Sequence, residues 1–201
     1  MHWSGRFVAS IRPGRPAASE LAWAATQLSA EEILLFGRMS NPDQRHSIAV
    51  ARRAEPDLVA LGLDEGRLRA ALAAALLHDV GKGIAGLRTY GRVAATMAGA
   101  LAGHDMADAW QQTSGFTRKV GLYLNYPRLG AELLELHRSD PWVIAWAAHH
   151  HDDPIGGPAA ESGAGQAATD ATIGADADAD ADAENATVPA PVAAILRSAD
   201  R

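Results

Sequence analysis

The chain has 201 residues and no cysteine, is 48% hydrophobic but only 5% aromatic, and carries a formal net charge of -6. That length and apolar content suffice for one domain with a buried core, and an alanine-rich, aromatic-poor core predicts closely packed helices, an all-α fold. The missing cysteine excludes disulfides, thiolate zinc sites and cysteine nucleophiles, so a bound metal would have to use His, Asp or Glu.

The longest apolar windows, Ala70 to Leu77 and Val93 to Ala102, fall well short of the roughly 20 residues of a membrane span. Met1 to Arg15 has scattered arginines and no continuous apolar region, unlike a secretion signal, so a cytoplasmic protein without membrane partners is expected. Nine acidic side chains and no Lys or Arg lie between residues 152 and 186, which leaves 18 basic against 15 acidic residues elsewhere. This body weakly suits an anionic ligand. No basic run or basic-aromatic stripe supports nucleic-acid binding.

Taken in order, Pro13, Gly14 and Pro16 break any helix in the lead-in, Ser19 caps a helix through Leu28, and Ser29 with Glu32 forms a capping box for Ala30 to Met39. Asn41-Pro42-Asp43-Gln44 predicts a helix start with Asn41 as N-cap; Ile48, Val50 and Ala51 give that helix an apolar side until Pro56 breaks it near Glu55. Leu58 to Leu63 reads as an apolar connection, and Asp64 caps a helix through Leu68, Leu72, Leu76 and Leu77 that ends at His78-Asp79, with Gly81 as its stop. Arg92 to Leu101 is a further helix, and residues 103 to 125 read as mixed helix and loop with Trp110, Phe116, Leu122 and Tyr123 as core anchors. Pro127 opens a helix from Arg128 to Arg138 with Leu129, Leu133, Leu134 and Leu136 inward, and Asp140-Pro141 opens one that runs to His149-His150-His151. Residues 154 to 188, with an Ala-Asp repeat from Ala175 to Ala183, are expected to be disordered. An apolar helix then closes the sequence at Asp200.

The chemistry centres on Leu76-Leu77-His78-Asp79-Val80-Gly81-Lys82-Gly83. Neighbouring helical side chains point about 100° apart, but at a last turn both His78 and Asp79 can reach a cation seated beside the negative end of the helix. Adding His46 and Asp200 gives two imidazoles and two carboxylates, a set suited to Mn, Fe, Co, Ni or Zn rather than Ca. Isolated histidines such as His2, His104 and His137 read as ordinary capping or satisfied polar groups.

His46, His78-Asp79 and the distant Asp200 stand in an order that resembles the HD-domain metal-dependent phosphohydrolase superfamily. Gln44-Arg45-His46-Ser47-Ile48-Ala49-Val50-Ala51 resembles its first helix, Ala75-Leu76-Leu77-His78-Asp79-Val80-Gly81-Lys82 its name-giving motif, and Leu196-Arg197-Ser198-Ala199-Asp200 its closing helix. Between them, Tyr126-Pro127-Arg128-Leu129-Gly130-Ala131-Glu132-Leu133-Leu134 resembles a segment that usually begins His-Pro, and His149-His150-His151 its double histidine. The resemblance implies an HD-like helical bundle over 30–201, interrupted by the acidic insertion 154–188 and preceded by an extension over 1–29. It implies a divalent metal held by His46, His78, Asp79 and Asp200, and hydrolysis of a phosphomonoester or phosphodiester of a small molecule, commonly a nucleotide. Asp79, Lys82, His149 and His150 are the expected catalytic residues, Lys82, with Arg45 as a weaker candidate, neutralising phosphate and His149 or His150 moving a proton or binding a leaving-group oxygen; Arg88, Arg92 and Arg118 could line an anionic pocket, although exposed arginines are their ordinary reading. Tyr126 stands where two-metal members have His, which implies one metal per site. Asp152-Asp153-Pro154-Ile155-Gly156-Gly157-Pro158 lacks the Gly-Tyr-Pro pattern of the cyclic-di-nucleotide subgroup. The competing expectation is a catalytically degenerate HD module that keeps its metal in a regulatory or ligand-binding role.

Overall fold

The computed structural model describes residues 14–87, 89–102, 106–152 and 187–201. Among them every regular element is helical: α1 (Ala18–Gln27), α2 (Ala30–Arg38), α3 (Asn41–Ala60), α4 (Glu65–Leu77), a 3-10 turn (Val80–Gly83), α5 (Thr89–Ala102), α6 (Met106–Gln111), α7 (Gly115–Leu124), α8 (Tyr126–Leu136), α9 (Pro141–His149) and α10 (Ala190–Asp200). None is long and apolar enough to cross a membrane. The acidic insertion, apart from its last two residues, lies outside the described residues, as do His2, Arg88 and His104.

Helix α4 is the hub. From Ala70 to Leu77 every side chain is buried, so its second half is apolar on all sides, as a helix must be when neighbours enclose it. Helices α3 and α9 pack along it, α1 and α2 close its remaining sides, α8 lies against α9, and α10 lies against α3. The alanines let these backbones approach, while Leu58, Leu72, Leu76, Leu77, Leu134 and Leu196 fill the centre at 2% exposure or less. Each such leucine contributes about 1.5–3 kcal/mol of transfer free energy. A smaller cluster, Ala85, Leu87, Ala95, Val120 and Leu122, joins α5 and α7 to the loop after the 3-10 turn.

Local signals set most helix starts. Ser29 and Glu32 exchange the two bonds of a capping box at 3.2 and 2.9 Å, Asp64 accepts from the Arg67 N–H at 2.9 Å, and Asp140 accepts from the Trp142 N–H at 2.9 Å. Other expectations are corrected. Ala17, not Ser19, precedes α1. Ser40, not Asn41, caps α3, with its Oγ donating to Asp43 Oδ2 at 2.6 Å. Pro56 does not end α3, which continues to Ala60; burial of Ala54 and Leu58 at 0% exposure offsets the roughly 3 kcal/mol that an internal proline costs. Phe116, in the first turn of α7, and Leu136, at the end of α8, are surface residues, 57% and 80% exposed.

Gly81 is not a left-handed helix stop; among the described residues the positive-φ glycines are Gly14, Gly62, Gly86 and Gly115. Its role is close approach. A Cβ there would lie 2.8 Å from the Gly130 nitrogen and nearer still to the Tyr126 carbonyl oxygen, so the 3-10 turn can press on α8 only because Gly81 has no side chain. We expect Gly81→Ala to lower stability in urea by about 2 kcal/mol or more, whereas Gly37→Ala, which meets nothing within 4 Å, is neutral or gains about 0.5 kcal/mol. Equal midpoints for the two variants would remove the close-approach explanation.

Candidate metal centre

Three elements bring the four proposed ligands together. His46 projects from α3, His78 is the C-cap of α4 with Asp79 next to it, and Asp200 is the last residue of α10. Asp200 Oδ1 lies 2.9 Å from His46 Nε2 and 3.9 Å from His78 Nε2, and Asp79 Oδ2 lies 3.4 Å from His78 Nε2. Ligand atoms of His46, His78 and Asp79 all fall within 4.8 Å of one another. Donors that share a cation at about 2.1 Å are spaced about 3.0–3.4 Å apart, so small side-chain rotations would bring these donors to such spacings.

Two features make the cluster fit a cation rather than a set of internal ion pairs alone. His78 Nδ1–H donates to the Ala75 carbonyl at 2.9 Å, which fixes the tautomer and leaves the Nε2 lone pair for a ligand. Asp79 is 2% exposed, and its Oδ1 has no hydrogen-bond partner among the described residues. A buried carboxylate oxygen left without a donor is costly, and a cation is the partner that its surroundings would accept.

Asp79 is nonetheless an anion. Burial alone would raise its pKa, but the charges of His78 and Lys82 and the Lys82 hydrogen bond hold it well below the usual carboxylate range. Lys82 Nζ sits 2.6 Å from Asp79 Oδ2, and against the opposing effect of burial that carboxylate raises the lysine's own pKa. Lys82 is therefore at the site but directed at a ligand, not freely at the solvent side where phosphate was expected. Asp200 is likewise held low: burial pushes its pKa up, but the His46 hydrogen bond together with the charges of His78 and His46 outweighs it.

The three terminal histidines of α9 separate by rotation around the helix. His150 is buried, with Nε2 3.9 Å from Asp79 Oδ1. His149 is the correction: its side chain is 70% exposed and pairs at 2.8 Å with Asp152, because one residue of helix turns a side chain by about 100° away from its neighbour. His150 Nδ1–H donates to the Ala147 carbonyl at 3.1 Å, so its Nε2 accepts from the Tyr126 hydroxyl at 3.1 Å. The Tyr126 oxygen in turn accepts from His151 Nε2–H. Burial, then the nearby His78 and His151, push the His150 pKa down to about 3; burial and Asp79 push the Tyr126 hydroxyl well above its ordinary value.

No model of a known protein family, no curated protein sequence and no solved structure matches this chain. The geometry thus carries the functional argument.

The remaining sequence candidates lie elsewhere. Arg45 donates to the Gly14 carbonyl, Arg92 is held by Asp43 at 2.7 Å, Arg118 is exposed, and His137 is satisfied by the Leu133 carbonyl at 2.8 Å. Sequence reasoning missed the Tyr126 hydroxyl, whose phenol was read only as a poor ligand, and it missed Arg53. The Arg53 guanidinium donates to the Ala199 carbonyl through Nε at 2.7 Å and through Nη2. That bond pins the last turn of α10 to α3 next to Asp200. No local pattern could have found a contact 146 residues apart in sequence.

Two measurements follow from this geometry. Calorimetric titration with manganese should find Arg53→Met about tenfold weaker than the parent, the usual loss for a group that orients a ligand; unchanged affinity would mean that α10 is held without it. In the metal-free protein, His150 has a folded-state pKa depressed from 6.5 to about 3, so the unfolded chain takes up its proton first. Its contribution to stability is complete above about pH 6.5 and is lost as pH falls toward 3, at up to about 1.4 kcal/mol per pH unit. His150→Gln should flatten the stability profile by that slope between pH 6 and about 4, and identical profiles would show that His150 is not buried neutral.

Proposed function

We propose that this protein is a metal-dependent phosphohydrolase of HD type, acting on a phosphomonoester or phosphodiester of a small molecule, with nucleotides the leading substrate class. One observation carries the reading. Two imidazoles and two carboxylates brought by three helices converge, and the buried Asp79 among them has an oxygen with no hydrogen-bond partner among the described residues. A single divalent ion, Mn, Fe, Co, Ni or Zn, suits that donor set, held by His46, His78, Asp79 and Asp200. When bound, such an ion acidifies water and polarises a phosphoryl oxygen.

The chain's own groups supply the rest. Lys82 keeps Asp79 ionised at 2.6 Å, so the ligand set is ready at any pH where the imidazoles are neutral. His150, held neutral by burial and accepting from the Tyr126 hydroxyl at Nε2, fixes that hydroxyl beside the cluster, with Nε2 3.9 Å from Asp79 Oδ1. Asp79 and His78 are buried while His46 and Asp200 are part-exposed, so the centre is dry on one side, which strengthens the charge interactions there, and open to solvent on the other.

A second reading is a metal-holding HD-like module without turnover, with a regulatory or ligand-binding role. What favours it is the engagement of Lys82 by Asp79 and of His150 by Tyr126, which leaves both groups occupied in the protein at rest. The deciding experiment screens manganese- and iron-loaded protein against nucleotides with phosphate-release detection. Turnover that falls by at least about 100-fold in folded His78→Ala and Asp79→Ala variants supports the enzyme. Stoichiometric metal with no turnover on any nucleotide supports the module, and a protein that neither contains nor gains metal defeats both readings.

A further inference from the structure

We infer that a cleft beside the first half of α4 is a second binding site, one that takes a compact organic oxyanion, a carboxylate or phosphate carried on a few carbons, between Arg69 and Arg138. A cavity of about 220 Å³ opens there, where the end of α1, the start of α2, the first half of α4 and the turn from α8 to α9 meet. Its deepest lining is apolar, Ala70, Ala73 and Val143 at 6%, 3% and 1% exposure, and its rim carries the two exposed arginines. Arg69 precedes His78 by nine residues, which sets the cleft roughly 13 Å along the helix from the metal ligands. The inference therefore stands whether or not the phosphohydrolase reading does.

The charges around the cavity select an anion. Both carboxylates that line it already have partners: Glu32 accepts from the Ser29 N–H at 2.9 Å, and Asp140 accepts from the Trp142 N–H at 2.9 Å and pairs with Arg67 at 3.7 Å. Neither Arg69 nor Arg138 has a carboxylate or carbonyl partner among the described residues. With Asp140 set against Arg67, two guanidinium groups face one buried carboxylate, an excess of one positive charge. Each guanidinium offers a planar fork of donors that matches the two oxygens of a carboxylate or phosphate, and the apolar floor takes the carbon skeleton. The volume lies below the roughly 300–1,000 Å³ of sites for drug-sized molecules, hence a compact ligand.

Exposed arginines are common, and Arg138 is set apart by its backbone. It is the one non-glycine residue with positive φ among the described residues, at 54°. The Arg138 N–H donates to the Glu135 carbonyl at 2.9 Å and the Ser139 N–H to the Leu134 carbonyl at 3.1 Å, the closing bonds of a left-handed helix end, where glycine fits without steric cost. Arginine at that position gives up stability that glycine would restore, and it places a guanidinium at the cavity rim. A strained residue beside a cavity with an unanswered charge is the arrangement of a ligand clamp.

The test titrates succinate, and separately glycerol phosphate, into the full chain by calorimetry, with the parent, Arg69→Gln and Arg138→Gly compared. The expected result is saturable binding by the parent that weakens about tenfold or more in each variant, the loss that goes with a charge-assisted hydrogen bond, with manganese affinity unchanged. The thermal midpoint of Arg138→Gly should rise at the same time by about 2–4 °C as the strained residue is relieved, so that lost binding cannot be put down to a damaged fold. Whichever probe binds more tightly names the group that the site prefers. No saturable binding of either probe by the parent, or parent affinity retained by either variant, overturns the site. Binding that is lost in His78→Ala and kept in the arginine variants places the probe at the metal centre and overturns it as well. Arg69→Gln alone decides if Arg138→Gly does not fold.

Discussion

A carboxylate buried inside an alanine- and leucine-rich core must be answered by other charges, and Asp79, 2% exposed at the end of the wholly buried α4, is the constraint around which this fold is arranged. An unpaired ion in such a place would protonate instead of staying charged. Lys82 answers one oxygen from one turn away. It can do so because the chain leaves the α-helix at His78 and tightens into a 3-10 turn that swings the lysine back over Asp79. That turn needs room against α8, and Gly81 and Gly130 provide it by leaving backbone to face backbone. Electrostatics and packing therefore meet in one short stretch.

Helix ends carry the rest of the centre. His78 and Asp79 stand at the C-terminus of α4 and Asp200 at the C-terminus of α10, where unpaired carbonyls give a partial negative charge. Long, rigid helices aim these termini at one point, while His46 reaches in from the second turn of α3. Such a site is pre-arranged by packing among leucines far from it, so its geometry does not depend on loop conformation. The second hydrophobic cluster, under α5 and α7, contributes none of these ligands.

The all-helical class and most helix starts were legible because their causes are local. A capping side chain and its N–H partner lie two or three residues apart, as at Ser29, Asp64 and Asp140. Pro56 misled for the opposite reason: the helix continues because Leu58 is buried by segments distant in sequence, and tertiary burial outweighs a local penalty. At the candidate centre the ordering of His46, His78, Asp79 and Asp200 pointed to residues that do lie together. The facing of the histidine run was not legible, since one residue of register decides whether His149 or His150 turns inward. Tyr126 was weighed only as a ligand, yet its hydroxyl bonds His150 across 24 residues, a relation that no spacing rule contains.

Charge arithmetic explains why these groups are tolerated together. With both ligand imidazoles neutral, as metal ligation requires, Asp79 and Asp200 against Lys82 leave the cluster at a formal -1, reinforced by the negative ends of two helices. A single added monovalent charge would only neutralise it. A divalent ion would invert it to +1 beside the buried Asp79. Lys82 thus does two opposing things: it stabilises the metal-free fold by answering Asp79, and it weakens the attraction for a cation by the same charge. On the phosphohydrolase reading proposed above, the surplus of positive charge that results would favour an anionic substrate, which a metal alone would not need.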